Sequence, residues 1–164
     1  MILLGFLFGL VGGIVARFWM RWISTDSEFT WSGTLGIVIG FGIFGAVQAT
    51  AKKMRSASHS KGRIRIARAF GVVFSLQLFV AAGAMMFPTV LTLSLAKWRQ
   101  IWPSWMRVLL ALTGLALWAL IINSTIVEDF GWSATTLAKI VVFGWIYGAI
   151  IFALEPTIRA VEKR

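Results

Sequence analysis

The sequence predicts an all-α fold: a polytopic integral membrane bundle of five apolar helical segments, with four or five crossings, in one domain over residues 1–164. Three observations carry this expectation. The chain is 59% hydrophobic and only 13% charged, about half the charged fraction of an ordinary soluble domain. Several apolar runs approach or exceed the roughly 18 residues that read as a membrane helix. They are apolar on every side, where β-barrel strands would alternate. The third observation is a signature that occurs twice. Asp26-Ser-Glu-Phe-Thr-Trp-Ser-Gly-Thr and Glu128-Asp-Phe-Gly-Trp-Ser-Ala-Thr-Thr each stand between two apolar runs. The chain therefore reads as two hairpins with a different segment between them. The echo is either an internal repeat or two interface helix starts that recruit the same residues.

Segment 1, about residues 2–20, carries Gly5, Gly9 and Gly13 at a spacing of four. That spacing lays a smooth strip along one helix face, and such strips let helix backbones approach closely in lipid. Arg17, Trp19, Arg21 and Trp22 close the segment as an interface belt. The run begins at Met1 without a basic n-region, which reads as a retained helix and not a cleaved signal peptide. Segment 2, about 30–51, has Thr30 or Ser32 as an N-cap, with Asp26 and Glu28 near the positive helix end. Ser32, Gly36 and Gly40 form a second small strip, and Gly42, Ala46 and Thr50 a third. Gln48 is its one amide.

Residues 52–68 hold seven Lys or Arg and read as a basic loop kept on the cytoplasmic side. Segment 3, about 69–95, contains Gln77, Gly83 and Pro88; it is long for one span and short for two. Residues 97–107 follow as an aromatic and basic connector, with Trp98, Trp102 and Trp105 near one helical face and Pro103 suited to a helix start. Segment 4 covers about 105–122. The second acidic copy, with Glu128 and Asp129, comes next. Segment 5, about 132–154, carries Gly144 and Gly148, and Lys139 lies roughly 10 Å inside its start.

Two topologies compete. If segment 3 dips in and returns, thirteen of the sixteen Lys and Arg fall on one side, and both acidic copies share the other. If segment 3 crosses, the basic residues split evenly and the second hairpin is inverted, as in inverted-repeat transporters. Charge favours the first, and hydrophobic length the second.

The chemistry available is sparse. The chain has no cysteine and one histidine, His59, which excludes thiolate and multi-histidine sites. No phosphate, metal or nucleophile motif is present. We expect no enzyme, no catalytic or metal residues and no cofactor. The net charge of +10 belongs to short membrane loops, so the expected partner of 52–68 is anionic lipid headgroup and not nucleic acid. The leading function is an accessory or assembly subunit, or a homo-oligomer, in the plasma membrane, packed through Gly5, Gly9, Gly13, Gly36, Gly40, Gly144 and Gly148. The alternative is a small transporter or channel whose path is lined by Gln77, Gly83, Pro88 and Lys139, since intramembrane charge is costly unless used. Lys139 also has a plain reading: its stem reaches back to Glu128 or Asp129, as Arg17 does to Asp26 or Glu28.

Overall fold

The computed structural model describes residues 1–24, 30–56, 61–82 and 86–159, and all regular structure among them is helical. Helix α1 spans Ile2–Ile23, α2 Trp31–Ser56, α3 Lys61–Ala82, α4 Met86–Trp98 and α5 Ser104–Ile122. A π-helical turn, Asn123–Val127, carries α5 directly into the short α6, Glu128–Phe130. Helices α7, Ala134–Ala153, and α8, Glu155–Ile158, complete the chain. Four helical stretches are long and apolar enough to cross a membrane: Ile2–Ile23, Trp31–Arg55, Ser104–Phe130 and Ala134–Ala153. Helix is what a bilayer imposes on such runs, because backbone N–H and C=O groups find no water there and must pair within the segment. Large side chains such as Phe8, Phe18, Trp132 and Trp145 point outward, as lipid-facing residues do.

The first two helices form a close antiparallel pair. A Cβ placed on Gly5 would stand 2.6 Å from the Gly45 carbonyl oxygen, and one on Gly13 would stand 2.8 Å from Val38 Cα. Between them, Gly9 lies against the Phe41 carbonyl and Gly42. The neighbour of the α1 strip is therefore α2 of the same chain.

Three expectations need correction. The basic stretch 52–68 is not one loop: α2 runs to Ser56 and α3 starts at Lys61. Lys and Arg are good helix formers, so basic character alone does not end a helix. Segment 3 is two helices, α3 and α4, with Pro88 in the first turn of α4, where its missing N–H costs little. The second acidic pair, Glu128 and Asp129, sits on helix and not in a loop, because the π turn absorbs one extra residue and lets the helix continue.

Helix α4 comes back to the end of the bundle from which α3 rises. Arg68, early in α3, and Arg55, at the end of α2, both bond to carbonyls in α8 and just after it, next to the end of α7. Trp98, the last residue of α4, bonds to Ile151 at the same end of α7. The stretch from Arg68 to Ala82 is about 21 Å long and α4 about 18 Å, at 1.5 Å per residue, against a hydrocarbon core of roughly 30 Å. The buried core lies where α4, α7 and the end of α5 meet α1 and α2, around Trp19, Phe41, Val90, Ile126, Phe143 and Ile146.

Candidate functional site

Polar chemistry collects in three places. The first is the end where α2, α3, α4 and α7 meet. The last carbonyls of a helix have no partner of their own, and here arginines supply one. Arg55 Nη1 donates to the carbonyls of Pro156 (3.1 Å) and Arg159 (3.0 Å). Arg68 donates from Nε to the Thr157 carbonyl (2.6 Å) and from Nη2 to that of Ile158 (3.4 Å). Gly71 makes this approach feasible, since a Cβ there would stand 2.5 Å from Thr157 Oγ1. Burial, then the nearby Arg99 and Arg55 guanidiniums, pushes Arg68 below the ordinary arginine value. Arg107 donates to the Ala96 carbonyl, Lys97 stands 4.2 Å over the Phe152 ring, and Arg99 lies on Trp102. Trp98, Trp102 and Trp105 thus do not share a helix face: α4 ends at Trp98 and α5 begins after Pro103.

The second place is a buried layer between α2, α4, α7 and α8. Thr157 Oγ1 donates to Gln48 Oε1 at 2.6 Å, a bond between helices of the kind polar side chains make in membrane bundles. Ser75 returns its hydroxyl to the Gly71 carbonyl. The hydroxyls of Thr89 and Tyr147 face one another, yet neither completes a hydrogen bond of good geometry. Ser94 Oγ and Gln48 Nε2 are also buried without a protein partner. Unpaired buried polar groups are costly, and among the described residues they gather mostly in this layer.

The third place is the opposite end. Lys139 is 5% exposed, and its Nζ sits over the Phe130 ring, 3.0 Å from the centroid. It makes no ion pair with Glu128 or Asp129; Glu128 Oε1 accepts from Asn123 Nδ2 instead. The lysine stem therefore does reach back toward its own connection, but to the aromatic ring and not to the acids. Its backbone carbonyl accepts from Trp19 Nε1 (3.0 Å), and Trp19 stacks on Phe143 with centroids 4.3 Å apart. Arg17 Nε donates to Thr34 Oγ1. Asp26, Glu28 and Gly83, and the side chain of Gln77, fall outside the described residues.

The remaining glycines divide. Gly36, Gly40 and Gly148 have open space where a Cβ would go, and Gly144 has only Trp118 at 3.7 Å. They pack closely on no neighbour among the described residues. The glycines that do, besides the α1 strip, are Gly42 and Gly45 on α2, Gly71 on α3 and Gly114 on α5, the last against Leu93 and Thr92 of α4. Gly42 belongs to the strip with Ala46 and Thr50, whereas Gly45, three residues on, lies off that four-residue spacing. No group of His, Asp or Glu among the described residues could hold a metal ion. Comparison of the chain with protein-family models, with curated proteins and with solved structures finds no match.

Proposed function

We propose that this chain is a non-enzymatic integral membrane protein that acts by docking helix faces onto another membrane protein or a second copy of itself. The observation that carries this reading is the pair of open glycine faces, Gly36 with Gly40 on α2 and Gly144 with Gly148 on α7. In lipid, close backbone approach is what drives helices together, and these faces are smooth and meet no neighbour, or only Trp118, among the described residues. Support also comes from Lys139, the residue best suited to a transport path, being sealed between helices. In this reading the protein makes four crossings, and α3 with α4 forms a re-entrant fifth segment. Residues 52–68, 97–107 and the tail lie on the cytoplasmic face of the plasma membrane, where the basic residues meet anionic headgroups. The repeated signature serves both hairpins as an interface helix start.

The test is recovery of the assembly. Gly148→Leu and Gly40→Leu should leave the isolated chain folded and reduce recovery of dimers or partners from native membranes. Unchanged recovery in both variants would remove the reading. A second reading, a small transporter, has one specific observation behind it: the unpartnered hydroxyls of Thr89, Ser94 and Tyr147 beside α4. Flux into vesicles that survives both Thr89→Val and Lys139→Ala at the wild-type rate would dismiss that path.

A further inference from the structure

Basic residues crowd the end of the bundle where α2, α3, α4 and α8 meet. The described residues of that end carry one carboxylate, Glu155, and it is paired with Arg159 at 2.9 Å. Arg68 and Arg99 are half-buried there, and neither meets a carboxylate among the described residues. Burial first, and then the charges of Arg99 and Arg55, hold Arg68 below the ordinary arginine value, so these guanidiniums share one neighbourhood. Like charges repel, and more strongly where water is partly excluded.

Capping of helix ends accounts for part of this crowding. Arg55 and Arg68 donate to carbonyls in and just after α8, which is reason enough for each to be there. It does not account for Arg99. That guanidinium lies on the Trp102 ring, 5.6 Å from its centroid, and donates no hydrogen bond among the described residues. Its Nε is sealed from solvent, whereas its two Nη atoms reach the surface. Stacking uses the face of a guanidinium and leaves its edge to an anion. Arg68 is held differently to the same end: Nε and Nη2 are engaged by the Thr157 and Ile158 carbonyls, and Nη1 is left over. One guanidinium is thus fixed by a ring and the other by neutral carbonyls, with donors remaining on both and no counter-charge. A phosphate group, which accepts from several guanidinium N–H groups at once, matches that arrangement.

We propose that Arg68 Nη1 and the Nη edge of Arg99 together bind one phosphate group. At this end of the bundle the source is a lipid headgroup or a soluble phosphate, which share the same chemistry. The inference rests on the membrane reading above, which puts this end at the headgroups, but not on the docking of helix faces. It goes beyond a general attraction of basic residues to an anionic surface, because it names two guanidiniums and a single group bound by both.

The test uses the full chain in nanodiscs of mixed phosphatidylcholine and phosphatidic acid, read by native mass spectrometry after release into detergent. The wild type should retain phosphatidic acid selectively. Arg99→Gln should weaken that retention roughly tenfold, the loss expected for a hydrogen bond between charged groups. The same variant should raise the thermal midpoint of the lipid-free chain in neutral detergent, because it removes a like charge from beside Arg68. A purely structural role for Arg99 would lower both, and that result would overturn the inference. Lys97→Gln removes the same charge from the same end and should scarcely change retention. The second arm adds inorganic phosphate to the chain in phosphatidylcholine alone. A rise in thermal midpoint that Arg99→Gln removes assigns the site to a soluble phosphate, and no rise assigns it to the lipid headgroup. Gly148→Leu should leave retention unchanged even where it breaks assembly, which separates failure of the two proposals. Equal retention of both lipids together with no response to inorganic phosphate would overturn the inference, as would equal losses in Arg99→Gln and Lys97→Gln.

Discussion

The two hairpins share a signature and little else. In the first, α1 and α2 run together along their length, glycine against backbone. In the second, α5 and α7 do not pack along their length; they touch near Trp118 and Gly144. Helix α5 gives its own glycine, Gly114, to Leu93 of α4, and α7 spends its contacts on Trp19 of α1 and on α4. The signature itself folds in two ways. Ser133 caps α7, accepting from Thr136 N–H at 3.1 Å, whereas Ser32 already lies inside α2. The lesson is that a repeated connection does not impose a repeated hairpin. The hairpin closes where both helices offer small residues at the crossing, and it opens where a bulky residue stands there and a third helix competes.

This contrast is testable by substitution, and the largest effect should come from the first hairpin. Gly9→Leu drives a side chain into the Phe41 carbonyl, which is backbone and cannot yield. We expect a loss of about 3 kcal/mol or more, visible as a lowered thermal midpoint in detergent. Gly36→Leu on the same pair of helices should scarcely move it, and equal losses would mean that the close approach is not the source of stability.

Next in size is the buried lysine of the second hairpin. Phe130→Ala leaves the Lys139 ammonium without its ring, costing on the order of 2 kcal/mol. Lys139→Met removes the charge with the ring still present and should cost less, because an apolar side chain of similar size needs no compensation. If Lys139→Met proves the more damaging, Lys139 contributes something other than packing.

The two copies of the signature differ by roughly 1 kcal/mol in what their serines do. Ser133→Ala should lower stability by that amount, read by hydrogen exchange at the start of α7, while Ser32→Ala should be close to neutral. Equal effects would restore the symmetry that the structure lacks. The smallest change is expected for Gly148→Leu, within about 0.5 kcal/mol of wild type for the isolated chain. Only its assembly should suffer.

Much of the fold was legible from the chain alone. Apolar length marked four long helices, although α2 runs on to Ser56 and the third span continues through the π turn to Phe130, and glycine spacing marked α1 as a packing helix. The same signals misplaced other parts. Basic character was read as loop in a region that is largely helix. Lys139 was assigned to acids, yet it lies on Phe130, because facing across the π turn depends on a helix geometry that no spacing rule anticipates. The open and packed glycines look identical in sequence.

The sequence by itself determined that this chain is helical, that four of its runs can span a membrane, and where its charges gather. Those follow from local properties: apolar length, the backbone's need for internal hydrogen bonds, and the cost of charge in hydrocarbon. Only the tertiary structure decided which glycines meet a neighbour, which buried hydroxyls lack a partner, and that Lys139 lies on the Phe130 ring. These depend on crossing points between helices far apart in the chain. A crossing point is set by the sum of many side-chain volumes and not by any one motif.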